Sequence, residues 1–174
     1  MNTSQLQCMI ACDPMLRDGV LGVFAADQLP RTVPFKPCGV IVNTDNSNQP
    51  GTHWLAFYIQ PNSVECFDSY GQSPGSYNPL LSQWLQRHAR HVQVNWTHLQ
   101  SDRSNVCGLY CVYFLHQRLI GRSMAQILSG FSSDRKANDH FILDLFKNVY
   151  PDCIEQEGTY HNQGCQPRCR DHPF

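Results

Sequence analysis

Four residues of this chain could together cleave an acyl bond: His53, Asp68, Gln100 and Cys107, in that order. Cys107 stands where the polar loop "QSDRSN" gives way to the apolar run "VCGLYCVYFLHQRL". A thiol acts as a nucleophile only as thiolate, and the unpaired N–H groups and dipole of a helix start lower its pKa. Position alone leaves two readings open for Cys107, an activated nucleophile and an ordinary buried thiol. A thiolate also needs a general base, usually His, and the chain has eight histidines. His116 lies nine residues beyond Cys107, about 13 Å along the axis and on the far side of the same helix. His88 and His91 close an amphipathic helix and are expected in solvent. His53 opens a strand whose hairpin partner carries Asp68, directly opposite it or diagonal to it. A carboxylate there could orient the imidazole and fix its tautomer. A plain surface His–Asp pair is the competing reading. Gln100 precedes the Cys107 loop, and its side-chain amide could join the Cys107 backbone N–H in holding an oxyanion. His98, two residues earlier on the same strand face, is the reserve base.

The elements that must position these groups are readable. "CGVIVNT" (38–44) is a short buried strand. "THWLAFYIQ" (52–60) and "VECFDSY" (64–70), joined by the turn "PNS", form a β-hairpin. "NPLLSQWLQRHARH" (78–91) is a helix with Asn78 as N-cap and Pro79 at its first position, and Leu80, Leu81, Trp84 and Leu85 are placed on one face. "VQVNW" (92–96) alternates as a strand, with Val92, Val94 and Trp96 on one side, and runs on toward Gln100. A helix is expected from about Val106 to about Ile120 with Gly121 as its stop. Further helices cover "SMAQILS" and "NDHFILDLFKNVY" (138–150). Strands in the middle flanked by helices define an α+β protein. Residues 1–150 are read as one domain. The polar, non-periodic segment 151–174 is read as a C-terminal extension.

The chain has 174 residues, with 13 Lys and Arg against 14 Asp and Glu, a net charge of −1. No overall basic excess speaks for nucleic acid. No apolar run is long enough to cross a membrane, and Met1–Arg17 does not read as a signal peptide. Nine cysteines, an odd number, favour a reduced, intracellular protein with a functional thiol over a secreted disulfide scaffold. Cys38, Cys66 and Cys111 are expected to be small buried hydrophobes. His161, Cys165, Cys169 and His172, with Cys153 nearby, have irregular but sterically possible zinc spacings. A loosely packed tail is favoured there, and neither a metal nor a cofactor is expected.

"CGVIVNT", "GTHWLAFYI", "ECFDSYG" and "LQSDRSNVCGLYCVYFLH" together resemble the adenovirus maturation protease (adenain) family, including the proteases of Maverick/Polinton transposons. More distantly they resemble proteases that deconjugate SUMO and other ubiquitin-like proteins. "LGVFAADQLP" (21–30) looks like that family's substrate-cleft segment. The resemblance covers about residues 10–150. It implies Cys107 as nucleophile, His53 as base, Asp68 as orienting carboxylate, Gln100 as oxyanion donor and Trp54 as a wall beside the histidine. The implied fold has a central mixed sheet packed against a helix with the nucleophile at its N-terminus. The implied reaction is peptide-bond hydrolysis at Gly-containing sites of viral or transposon capsid and polyprotein precursors, in a host nucleus or cytoplasm or within virions. Adenoviral members are activated by a peptide disulfide-linked through a Cys upstream of the Gln. The segment 87–100 has no Cys, so any activating peptide is expected to bind without that covalent link. DNA stimulation, known in the family, finds little support in the balanced charge. A deconjugating protease and a non-catalytic zinc- or protein-binding module are the alternatives.

Overall fold

The computed structural model describes residues 1–154; the tail residues His161, Cys165, Cys169 and His172 lie outside the described residues. In chain order the elements are α1 (Thr3–Cys12), α2 (Pro14–Gly19), β1 (Val20–Phe24), a 3-10 turn (Ala26–Gln28), β2 (Cys38–Asn43), β3 (Trp54–Ile59), β4 (Ser63–Phe67), α3 (Pro74–Tyr77), α4 (Pro79–His88), β5 (His91–Val94), α5 (Cys107–Leu119), α6 (Met124–Ser129), α7 (Arg135–Val149) and α8 (Pro151–Ile154). The five strands form one mixed sheet in the order β1-β2-β3-β4-β5. The β2–β3 and β3–β4 pairs are antiparallel, and the outer pairs β1–β2 and β4–β5 are parallel. This is the α+β arrangement the sequence implies.

The centre of the sheet is covered on both faces, which is why β2 and β3 are buried along their whole length. Side chains alternate across a strand. Trp54, Ala56 and Tyr58 of β3 point into a core shared with α5, α1 and α7. Leu55, Phe57 and Ile59 point the other way, onto Leu81, Trp84 and Leu85 of α4. Helix α5 is the central one, buried from Cys107 through Arg118. Arg118 is matched there by Glu65 of β4, with Nε–Oε2 at 2.6 Å, and its guanidinium lies 4.4 Å from the Tyr58 ring centroid. Gly121 ends the helix at φ +95°, a conformation that favours glycine.

Several expectations need correction. Leu80 is 39% exposed; it lies 100° around the helix from Leu81 and falls off the buried stripe. Strand β5 stops at Val94, so Gln100 sits in irregular chain rather than at a strand end. Val92 is 40% exposed because β5 is an edge strand with a neighbour on one side only, and Trp96, beyond the end of β5, is 71% exposed. His88 is not a solvated helix end. Its ring stacks on Trp84 at 4.1 Å between centroids, and its nitrogens meet Trp84 O and Arg31 O. Helices α1 and α2 and the parallel strand β1 had no reading in the sequence. Helix α7 begins at Arg135, three residues before the expected start, because Asp134 caps it by accepting from the Lys136 and Ala137 N–H groups.

Candidate active site

The β3–β4 register brings the first two site residues together. Ala56 pairs with Phe67 and Phe57 with Cys66. Continuing that register beyond the paired strands sets Tyr70 opposite His53 and Asp68 on the diagonal. The His53 ring accordingly stacks on Tyr70, centroids 4.7 Å apart, while its Nε2–H donates to Asp68 Oδ1 over 2.7 Å. Asp68 is fully buried and fully occupied. Oδ1 also accepts from the Tyr70 N–H (2.9 Å), and Oδ2 accepts from the Gln72 N–H and the Tyr77 hydroxyl (both 2.9 Å). Four donors around one carboxylate hold it ionised. Burial pushes its pKa up, but the hydrogen bond and charge of His53 and the backbone N–H groups outweigh this, and the net shift is downward.

With Nε2 engaged by Asp68, Nδ1 of His53 is left for Cys107. The two side chains are hydrogen-bonded, and each shifts the other. Burial disfavours the imidazolium, yet the bonds to Asp68 and Cys107 and their negative charge raise the His53 pKa to about 9. Burial likewise disfavours the Cys107 thiolate. His53, together with the backbone N–H groups of Trp54 and Gly108, reverses this and lowers its pKa. Cys107 is the first residue of α5, and Val106 provides no side-chain cap, so the helix-start N–H groups are left for other acceptors. One turn on, Cys111 is fully buried, donates to Trp54 O (3.3 Å), and has its pKa driven well up by burial. Cys38 and Cys66 are buried thiols too, also shifted upward by burial. Cys107 is the thiol whose surroundings favour ionisation.

Gln100 is fully buried at the start of the loop that leads to Cys107. Its Oε1 accepts from Ser69 Oγ (2.7 Å), and its Nε2 donates to the Ser104 carbonyl (2.8 Å). A carbonyl only accepts, so the amide orientation is fixed. One of its two N–H bonds points into the loop that leads to Cys107, and the other is not used by that contact. His98, the reserve base, pairs instead with Asp102 at 3.3 Å. His116, as expected, faces away from Cys107 and reaches the buried Asp13 at 3.4 Å.

Gly108 has a different role from the one expected. It does not open the backbone to an incoming chain. A Cβ there would lie 2.7 Å from Met1 Cγ and 3.1 Å from Leu6 Cδ2, so the glycine lets α1 pack directly behind the cysteine. Trp54 belongs to the same contact, its indole N–H donating to Met1 O over 3.2 Å. Other residues the sequence did not mark support the site. Asn95 clamps the Asp68 backbone, accepting from its N–H (2.6 Å) and donating to its carbonyl (2.7 Å). From α7, Asn138 donates to Leu99 O, and Asp139 accepts from the Ser101 N–H and the Tyr110 hydroxyl, which anchors the Gln100 loop. An aromatic beside the Asp68 motif was visible in "DSY"; the Asn95 and Asp139 contacts carry no local signal.

His53, Tyr70 and Cys107 line an open cleft of about 340 Å³. A second hollow of about 350 Å³ adjoins it, shares Met1, Gly51 and Trp54, and is edged by Phe24 and Gln28. The arrangement is a buried thiol–imidazole–carboxylate group that opens on a cleft, a geometry suited to thiol-dependent acyl transfer. The chain belongs to the adenovirus endoprotease family, which it matches over residues 20–125. It is 30% identical over 110 residues to a cysteine protease of African swine fever virus, covering 54% of this chain and 39% of that one. It is 37% identical over 89 residues to the protease of bovine adenovirus C serotype 10, covering 44% of this chain and 45% of the relative. A crystal structure of the African swine fever virus protease aligns with a TM-score of 0.40 at 25% identity, over 62% of this chain and 44% of that one. The chain thus spans about two fifths of the length of the African swine fever virus relatives it matches.

Proposed function

We propose that this chain is a cysteine endopeptidase, with Cys107 as nucleophile, His53 as base and acid, Asp68 as orienting carboxylate and Gln100 as oxyanion donor. The observation that carries this reading is the geometry: His53, held by Asp68 Oδ1 over 2.7 Å, meets Cys107 at the start of α5, an arrangement that lowers the thiol pKa and raises that of the imidazole. In the working state the thiol proton sits on His53 and the sulfur is a thiolate. The sulfur attacks the scissile carbonyl carbon, and the carbonyl π electrons move to oxygen. That oxyanion is received by the Cys107 N–H and the second N–H of Gln100 Nε2. The imidazolium then gives its proton to the departing amine as the C–N bond breaks, leaving a thioester. A water, deprotonated by His53, hydrolyses the thioester and restores the thiol. Asp68 stays ionised throughout and holds the ring in place.

The substrates are protein segments, capsid or polyprotein precursors cut at Gly-containing sites. The cleft at Cys107 adjoins a second hollow edged by Trp54 and Phe24, which together offer a surface for a substrate segment. A second reading has specific support: a relative 30% identical over 115 residues is named a SUMO-1 cysteine protease, also from African swine fever virus. On that reading the substrate is the Gly-Gly tail of a ubiquitin-like protein. We place it in a host nucleus or cytoplasm or a virion interior, where a free Cys107 thiol is kept reduced; the Cys8–Cys153 disulfide speaks against a fully reduced chain. Any activating peptide binds without a disulfide link, and the net charge of −1 gives little support to DNA as an activator. None of the helices among the described residues is long and apolar enough to cross a membrane.

The test is cleavage of a Gly-containing peptide and of a precursor protein by wild type and by Cys107→Ala. Wild-type turnover with none in the variant is expected; equal activity in both refutes the reading. An electrophilic ubiquitin-like-tail probe that labels Cys107 faster than a Gly-peptide electrophile selects deconjugation instead.

A further inference from the structure

Gln100 stands in irregular chain, residues 95–106, between the end of β5 and the first residue of α5. A donor that stabilises a developing oxyanion must be fixed beforehand, and a misplacement of about 1 Å can cost roughly 10²-fold in rate. Ser69 and Ser104 fix the Gln100 amide within its own loop. What sets that loop against the Cys107 N–H comes from α7. Two successive residues of this helix hold the residues on either side of Gln100. Asn138 Nδ2 donates to Leu99 O over 3.1 Å. Asp139 Oδ2 accepts from the Ser101 N–H over 3.1 Å and from the Ser101 hydroxyl.

The other oxygen of Asp139 turns to α5, where Oδ1 accepts from the Tyr110 hydroxyl over 3.0 Å. Tyr110 is three residues past Cys107, about one helical turn along. One carboxylate thus bridges the segment that carries Gln100 and the helix that begins at Cys107, the two elements that supply the oxyanion donors. Asp139 is 8% exposed, Asn138 3% and Tyr110 0%, so these hydrogen bonds are shielded from the water that would weaken them. Asn138 is itself locked, its Oδ1 accepting from the Ser132 N–H and its Nδ2 donating to Ser132 O, both over 2.9 Å. The His53 ring is held from elsewhere, by Asp68, Tyr70 and Tyr77.

We infer that Asp139 is a positioning residue of the oxyanion hole: by tying Ser101 to Tyr110 it sets the Gln100 amide against the Cys107 N–H, with Asn138 holding the other side of Gln100. The inference rests on the proposed function, which gives Gln100 and the Cys107 N–H their roles. Asp139 acts through Gln100 and need not meet the substrate. Its effect falls on the step in which negative charge develops on the carbonyl oxygen, and not on formation of the Cys107–His53 ion pair. An amide at 139 keeps the shape of the side chain but has a single acceptor oxygen. It can serve Ser101 or Tyr110, while its NH2 faces the donor on the other side.

The test measures kcat and KM on a Gly-containing peptide for Asp139→Asn and Ser101→Ala, each alone and combined with Gln100→Ala, beside the rate of Cys107 alkylation by iodoacetamide. Asp139→Asn should lower kcat about 10-fold and Ser101→Ala at least about threefold, with KM within about twofold of wild type. Cys107 alkylation should keep its wild-type rate and pH profile, because it passes through no oxyanion. Added to Gln100→Ala, either substitution should cost less than about twofold, since the group it positions is gone. A tie that is merely structural would cost the same factor in both backgrounds. Equal losses in the two backgrounds, or a kcat within about twofold of wild type in both folded variants, overturn the inference. Ser101→Ala removes one hydroxyl and decides by the same criteria if Asp139→Asn does not fold. Equal cleavage by wild type and Cys107→Ala sinks the proposed function and this inference with it. An enzyme that depends on Cys107 yet shows equal losses in the two backgrounds sinks this inference alone.

Discussion

Replacing Asp68 by Asn tests the electrostatic core of the site. The carboxylate holds the His53 pKa at about 9 against a burial that pushes it down. With a neutral amide at 68 only Cys107 is left to oppose burial, and the imidazole falls back toward its ordinary value near 6.5. The alkaline limb of the Cys107–His53 ion pair therefore moves down by up to about 2.5 pH units, worth at most roughly 3 kcal/mol at 1.36 kcal/mol per unit. The sign follows from the direction of each shift. The ion pair exists above the lowered Cys107 pKa and below the raised His53 pKa, so activity rises through the first and is lost as pH passes about 9. At pH 8 a full return to 6.5 takes the imidazolium fraction from roughly 0.9 to roughly 0.03, and kcat/KM should drop by about 10-fold to 30-fold from this cause. The substitution also disturbs the carboxylate's four donors. An amide has one acceptor oxygen, so its NH2 must face either the His53 and Tyr70 N–H groups or the Gln72 N–H, at a cost of about 1–3 kcal/mol in stability. The assay is the pH dependence of Cys107 alkylation by iodoacetamide and of kcat/KM on a Gly-containing peptide, with circular dichroism confirming the fold. An alkaline limb unmoved near 9, or activity within about threefold of wild type, refutes the relay.

Gln100→Ala should lower kcat roughly 10²–10³-fold with little change in KM, whereas Ser69→Ala, which removes the hydroxyl held by Gln100 Oε1, should cost less than tenfold; equal losses would assign Gln100 to packing rather than to the oxyanion. Gly108→Ala should cost about 1–3 kcal/mol, a Tm drop on the order of 5 °C, because its Cβ meets Met1 Cγ at 2.7 Å and Leu6 Cδ2 at 3.1 Å; an unchanged Tm in a thermal scan would show that α1 does not pack there. Arg118→Met should destabilise by about 3–5 kcal/mol in urea unfolding because it strands buried Glu65, and adding Glu65→Gln should recover most of the loss; no recovery would mean that the Tyr58 contact carries the effect.

What was legible from sequence was local. The hairpin could be read because "PNS" ends one β-branched, aromatic run and starts another, and a side-chain period of two then restricts the partner of His53 to Asp68 or Tyr70. Both partners are used, Asp68 for the hydrogen bond and Tyr70 for the stack. The position of Cys107 at a helix start was equally local, marked by a polar loop on one side and Gly121 on the other. Contacts between distant segments left no such trace. Gly108 reads as an open backbone until α1 packs on it from a hundred residues away. Asn95 reads as a strand residue, yet it clamps Asp68 across the sheet edge because β5 ends at Val94. The parallel β1–β2 pairing has no turn to announce it. The Cys8–Cys153 disulfide needs α8 to return to α1.

The same division explains why the reactive pair sits where it does. His53 precedes β3 and Asp68 follows β4, so both lie at one rim of the hairpin, and α5 packs across β3 with its first residue at that rim. Neither charge is viable alone in so buried a place, since burial opposes both the Cys107 thiolate and the His53 imidazolium. Each is kept by the other and by one further source: Asp68 for the imidazolium, and the Trp54 and Gly108 N–H groups for the thiolate. The balance is therefore steep. Shifting α5 along β3 would withdraw the Trp54 N–H from the sulfur without touching any catalytic side chain, and the pair would revert to neutral thiol and imidazole. What holds α5 in register is its packing against β3 on one side and α1 on the other, which places the N-terminal helix, remote from the reaction, among the determinants of whether Cys107 is ionised at all.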